Sequence, residues 1–128
     1  MERRKNRKTV LLVDDDEIIR TLLKLFLNGI PLTFWEENDG QGALHLARQI
    51  HPDLIITDLH MPKMDGAQLT TALRAEPDVR LANVPIIVIT GTSSDNQDRA
   101  YQAGANVVLE KPVARKLLLT AMEQFLPK

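Results

Sequence analysis

The sequence contains no cysteine. Disulfides, thiolate metal sites and cysteine nucleophiles are therefore excluded, and the chain suits a reducing compartment. It also has no long hydrophobic run. Nothing approaches the roughly 20 apolar residues needed to span a bilayer. The first apolar stretch, Val10-Leu11-Leu12-Val13, is cut off at once by Asp14-Asp15-Asp16. That is too short for the apolar core of a secretion signal, about 7 to 15 residues. A cytoplasmic location with no membrane partner is expected. Net charge is small as well, at -1 over 128 residues, from 16 basic and 17 acidic side chains. The small figure conceals an asymmetry. Residues 1–8 carry five of the basic groups (Arg3, Arg4, Lys5, Arg7, Lys8) and one acid, Glu2, which leaves 11 basic and 16 acidic residues for the body. An acidic body lacks the Lys and Arg that neutralise a phosphate backbone, so direct nucleic-acid binding is not expected. We read residues 1–8 as a basic, solvated leader and residues 9–128 as one domain. The body's length supports a single hydrophobic core.

What the sequence does have is an alternation. Short apolar runs occur at Val10–Val13, Leu54–Ile56, Ile86–Ile89 and Val107–Leu109, with a weaker one at Leu32–Trp35. They are continuous rather than alternating, as in parallel strands buried on both faces. Helical patterns lie between them. Ile18, Ile19, Leu22, Leu23 and Phe26 recur at helical spacing before Asn28-Gly29. Ala43, Leu44, Ala47 and Ile50 follow, closed by Pro52. A third helix is expected over about 66–75, a fourth over 95–103 before Gly104, and a fifth around Leu117 to Phe125. The segment from Arg74 to Val84, bounded by Pro77 and Pro85, reads as an elongated loop. Five strand–helix units predict an α/β fold with a doubly wound, five-stranded parallel sheet. In such sheets ligands bind beyond the carboxyl ends of the strands.

The strand ends are chemically unusual. The first run ends in Asp14-Asp15, the third in Thr57-Asp58, the fourth in Thr90 and the fifth in Glu110-Lys111-Pro112. One sheet edge thus gathers three carboxylates, a hydroxyl and an ammonium from separate strands. Like charges sharing a site raise one another's pKa, and a divalent cation relieves the repulsion. Oxygen ligands without Cys or paired His favour Mg2+, Mn2+ or Ca2+ over Zn2+. One carboxylate could attack phosphorus, with Lys111 and Thr90 contacting phosphoryl oxygens. Asp16 and Glu17 read instead as a helix cap and its first-turn acid.

These residues resemble the receiver domain of two-component response regulators. The resemblance rests on Leu12-Val13-Asp14-Asp15, on Pro52-Asp53-Leu54-Ile55-Ile56-Thr57-Asp58-Leu59-His60-Met61-Pro62-Lys63-Met64-Asp65-Gly66, on Ile89-Thr90-Gly91, and on Gly104-Ala105 leading to Lys111-Pro112. It covers residues 9 to 126. It implies a flavodoxin-like fold with strand order 2-1-3-4-5. It implies that Asp58 is the phosphoacceptor, that Asp15 ligates Mg2+ and Asp14 helps hold it, and that the backbone carbonyl of His60 is a further ligand. Thr90 and Lys111 would contact the phosphoryl group, and Lys111-Pro112 would be cis. The donor would be a phosphohistidine on a histidine kinase or a histidine phosphotransfer protein. The output would be a changed protein-binding surface, on this chain or an attached domain. Such a protein is a signalling phosphoacceptor rather than an enzyme in the ordinary sense.

The resemblance is incomplete at one point. Receivers carry Tyr or Phe three residues before the strand-end Lys, where this chain has Val108. A stiff valine cannot swing between buried and exposed positions. Backbone shifts of the loop from Thr90 to Ser94, eased by Gly91, are the expected substitute. Tyr101 reads as a surface aromatic or ordinary packing, and Phe34 and Trp35 as core or edge packing. The His60 imidazole is expected to face solvent, where it could position or exclude the water that hydrolyses the aspartyl phosphate. Two other readings remain. One is a phosphorylation-independent interaction module on the same fold. The other, an Asp-nucleophile phosphatase, lacks room for a cap and has His60 where a second acid belongs. Two forms stay open: a stand-alone receiver, supported by the final helix running into Pro127-Lys128, and a receiver cut from a longer regulator or hybrid kinase.

Overall fold

The structure is a computed structural model that describes residues 7–91 and 93–126. The strands are β1 (Lys8–Val13), β2 (Leu32–Glu37), β3 (Leu54–Asp58), β4 (Ile86–Thr90) and β5 (Val107–Glu110). The helices are α1 (Glu17–Phe26), α2 (Gly40–Ile50), α3 (Gly66–Arg74), α4 (Val79–Ala82), α5 (Ser94–Ala103) and α6 (Arg115–Phe125). All strand pairs are parallel and the order is β2-β1-β3-β4-β5, as the resemblance implies. The order reverses after β1, which opens a crevice between the β1 and β3 ends.

Strand alternation divides the core into two layers. Leu11, Val13, Ile55 and Val88 face one way, against Ala43 and Ala47 of α2, Leu69 and Leu73 of α3 and Ala100 of α5. Val10, Leu12, Ile56 and Ile87 face the other, against Leu23 of α1 and Leu118 and Met122 of α6. Every residue of β3 and β4 is buried. That explains the continuous apolar runs. Each fully buried Leu or Ile contributes about 1.5–3 kcal/mol of transfer free energy.

Acidic residues begin four of the helices. Asp16, Asp39, Asp65 and Asp78 each accept a hydrogen bond from a backbone N–H in the first turn of α1, α2, α3 and α4. Asp65 also forms a reciprocal capping box with Gln68. Gly104, at φ 114, ends α5 as expected.

Two expectations need correction. The Arg74–Val84 segment is not simply a loop. Asp78 caps the single turn α4, and Leu81, only 2% exposed, pins it to the core. The prolines flank this turn without entering it. Arg74 fastens the same region by donating to the carbonyls of Ala82, Val84 and Gly104. Phe34 packs against the α1–α6 layer and Trp35, 46% exposed, sits on edge strand β2, within the expected core or edge packing. The second expectation needing correction is the basic leader. Of the basic segment, residues 1–6 lie outside the described residues. Lys8 already pairs with Leu32, and Arg7 donates to the Leu32 carbonyl. The last two residues of that segment therefore belong to the sheet edge.

Helix α5, like α1 and α4, has a single fully buried residue, here Ala100. Ala103 packs on the core from a partly buried position, and polar side chains add further ties. Gln97 Nε2 donates to Glu110 Oε1 at 2.8 Å, Arg99 pairs with Asp65, and Asn96 Nδ2 lies 3.2 Å from His60 Nε2. Among the described residues, no helix is long and apolar enough to cross a membrane.

Candidate functional site

The sheet brings Asp14, Asp15, Asp58, Thr90 and Lys111 to its carboxyl edge. Parallel register does this: the strands run the same way, so their last residues emerge together. Asp14 continues β1, its N–H donating to the Glu37 carbonyl at 3.1 Å. Its Oδ1 accepts from the N–H of Asp16, 2.9 Å away. Arg20, on α1, donates to the Asp14 carbonyl. Asp58 is the last residue of β3, and the next N–H, of Leu59, donates to the Ile89 carbonyl at 2.9 Å. Lys111 N donates to the Thr90 carbonyl at 2.8 Å, and the Lys111-Pro112 bond is cis. Lys111 Nζ lies 3.0 Å from Asp58 Oδ1.

Burial sets the electrostatics. Asp14 and Asp58 are 3% and 5% exposed, while Asp15 faces solvent. One oxygen from each of the three carboxylates lies within 4.8 Å of the others. Burial, reinforced by the charges of Asp58 and Asp15, pushes the Asp14 carboxyl up to about 6, against the opposing pull of the Asp16 N–H and Lys111. Among the described residues, two buried oxygens are unsatisfied. Thr90 Oγ1 has no hydrogen-bond partner. Asp58 Oδ1 has the charge of Lys111 nearby but no aligned hydrogen bond. A buried polar group without a partner costs about 1–3 kcal/mol. This pattern fits a divalent cation among the carboxylates and an anion between Asp58, Thr90 and Lys111. The donor set is all oxygen and suits Mg2+ or Mn2+.

His60 lies just beyond β3 with its ring exposed, but the ring is tethered to Asn96 rather than loose in solvent. Thr92, within the loop expected to carry the switch, lies outside the described residues. Val108 is partly buried against the α2–α3–α5 layer.

Three supporting groups escaped the sequence reading. Thr57 Oγ1 donates to the Asp58 carbonyl at 2.9 Å. Arg20 secures Asp14. Gly66 is a position where a Cβ would sit 2.3 Å from the Asp58 carbonyl oxygen. The motif Met64-Asp65-Gly66 signalled the glycine, though not its contact. Nothing in the sequence singled out Thr57 or Arg20.

Known proteins are similar to this chain in sequence and fold. The family model of the response regulator receiver domain matches residues 10–123. The chain is 36% identical over 117 residues to the sensor protein EvgS of Escherichia coli K12, covering 91% of this chain but 9% of that protein's length. It is 29% identical over 123 residues to the polar-differentiation response regulator DivK of Brucella ovis, covering 93% of this chain and 96% of DivK. Among solved structures, it is similar to the receiver domain of the sensor histidine kinase PA1611 of Pseudomonas aeruginosa, which has a magnesium ion in its active-site cleft. The TM-score is 0.85 at 27% identity, covering 95% of this chain and 99% of that one. The chemotaxis protein CheY4 of Vibrio cholerae matches with a TM-score of 0.79 at 30% identity, covering 93% and 98%. The sheet order, the acidic edge and these matches agree: the chain belongs to the response regulator receiver domain family of two-component signalling.

Proposed function

We propose that Asp58 accepts a phosphoryl group from a phosphohistidine on a histidine kinase or phosphotransfer protein. An Asp58 carboxylate oxygen attacks phosphorus as the phosphorus–nitrogen bond to the donor breaks, and the donor imidazole leaves neutral. Asp14, Asp15, Asp58 and the His60 carbonyl would hold the metal. Bound there, Mg2+ or Mn2+ neutralises and aligns phosphoryl oxygens. Lys111 offsets the charge of the new group, and the Thr90 hydroxyl donates to it. The observation that carries this reading is the unpartnered Thr90 hydroxyl, buried at the end of β4 on the sheet edge that also carries the Asp58–Lys111 pair. A phosphorylation-independent module would bear the cost of that orphan and gain nothing from it.

The test is incubation with acetyl phosphate and Mg2+, followed by intact mass. A gain of one phosphoryl group that disappears in Asp58→Asn and on chelation of the metal is expected. Undiminished gain in Asp58→Asn would overturn the assignment.

The donor is a protein, and α1 is where it docks. Ile18, Leu22 and Leu25 form an exposed apolar stripe at helical spacing, with Ile18 76% exposed. The stripe starts beside the Asp16 cap, two residues from Asp14, so a helix lying on it would reach the site. Ile18→Lys is expected to slow transfer from a phosphohistidine protein about tenfold. Transfer from acetyl phosphate should not change. Equal slowing with both donors would place the docking surface elsewhere. The site of action is cytoplasmic, where such donors present their phosphohistidines.

A further inference from the structure

Strand β5 carries Lys111 at its end, yet it is the sheet's outer strand. Among the described residues only its β4 side is paired. Of its four residues, three are partly buried and one is exposed. An edge strand leaves every second N–H pointing outward without a ladder partner. Here the outward N–H of Val108 is not left bare. It donates to the Tyr101 hydroxyl of α5 at 3.2 Å. Two residues further along, the Glu110 side chain accepts from Gln97 of the same helix at 2.8 Å. Tyr101 and Gln97 lie four apart, on one side of α5. They grip β5 at Val108 and Glu110, immediately before Lys111.

We infer that Tyr101 and Gln97 are positioning residues for Lys111, holding the strand end so that the ammonium stays on Asp58 and meets an incoming phosphoryl group. This rests on the phosphoacceptor reading above. Two features give it force. First, Lys111 lies one residue past β5, so play in the outer strand passes directly to its side chain. Its backbone N–H is tied to the Thr90 carbonyl. Second, α5 fully buries only Ala100, with Ala103 partly buried against the core, and the Tyr101 and Gln97 bonds are its direct polar ties to β5. Helix and strand end are therefore one coupled unit. Coupling is reciprocal in free energy. A group that draws Lys111 inward must change the Tyr101 contact by as much as that contact changes the group's binding. Phosphorylation is thereby read on the exposed side of α5, through the chain's single tyrosine, although position 108 has no ring.

The experiment measures binding of beryllofluoride, a phosphoryl mimic, to the full chain in saturating Mg2+. Wild type is compared with Tyr101→Phe, which keeps the ring and removes the hydroxyl, and with Tyr101→Phe combined with Gln97→Ala. Mg2+ affinity is measured alone on each. The expected result is about three- to tenfold weaker beryllofluoride binding in Tyr101→Phe and a larger loss in the double variant, with Mg2+ affinity within about twofold of wild type. The Tyr101 ring resonances should also shift when beryllofluoride binds wild type. Beryllofluoride binding unchanged in both variants overturns the inference. So does a parallel loss of Mg2+ affinity, which would mean general damage to the edge. A wild-type chain that binds Mg2+ but no beryllofluoride overturns the phosphoacceptor reading itself. Wild-type binding with indifferent variants overturns only the positioning role.

Discussion

Asp14→Asn is expected to weaken Mg2+ binding by about 10- to 100-fold and, without metal, to make the protein more stable. The two effects share one cause. Asp14 is buried beside two other carboxylates, and its carboxyl is pushed up from 3.8 to about 6. The folded state therefore holds this proton more tightly than the unfolded chain does. Between about pH 4 and 6 the folded state binds the extra proton, so stability falls as pH rises through that window. Above it the full penalty applies, at most about 3 kcal/mol for a shift of this size. Asparagine removes the charge and keeps an oxygen for the Asp16 N–H. Denaturant unfolding near neutral pH, with the metal chelated, should show the variant as the more stable protein. The difference should vanish below about pH 4. Adding Mg2+ should reverse the ranking, since the ion stabilises only the chain that binds it. For the same reason wild-type Mg2+ affinity should climb with pH through about 6 and then level off, releasing a proton on binding. A variant that is less stable than wild type without metal at neutral pH would refute this account of the acidic edge.

Gly66→Ala should cost about 3 kcal/mol or more and abolish phosphoryl acceptance as well. The added Cβ would lie 2.3 Å from the Asp58 carbonyl and 3.0 Å from Leu59 Cα, both backbone atoms. Neither side can yield easily. The Gly66 N–H donates to the Leu59 carbonyl at 2.8 Å, and Asp65 caps α3 from the adjoining position. Relief would have to come from moving Asp58 or the start of α3. Gly91→Ala is the control, because nothing lies within 4 Å of its Cβ position. It should shift the unfolding midpoint little. If the two variants unfold alike, close approach at Gly66 is not what the position requires.

The strands and the polar residues at their ends were legible in the sequence for a specific reason, whereas the sheet order came from the family resemblance. Strands buried on both faces must be apolar along their whole length, so their ends stand out as abrupt polar residues: Asp14, Asp58, Thr90 and Lys111. The acids that cap helices are told apart from these by position. Asp16, Asp65 and Asp78 precede helical turns, and Asp58 closes a strand. What the sequence hid was contact at a distance. The turn α4 is specified by the Asp78 cap and by burial of Leu81, and the two nearby prolines masked both. Arg20 reaches back to the Asp14 carbonyl, and Tyr101 reaches across to Val108. Neither partnership leaves a periodic trace, because each joins one side chain to one backbone atom. The tether between His60 and Asn96 leaves no periodic trace either, because it joins two side chains 36 positions apart.

The acidic edge draws on residues from position 14 to position 111, one strand end at a time. No contiguous stretch contains it, and it exists only once the crossovers have closed. During synthesis, a nascent chain that has exposed Asp14 and Asp58 but not yet Lys111 holds two of the acids without their cation. If Asp58 is the acceptor, as proposed above, such a chain can present no working acceptor to a kinase, and competence to receive a signal arrives only with the outer strand.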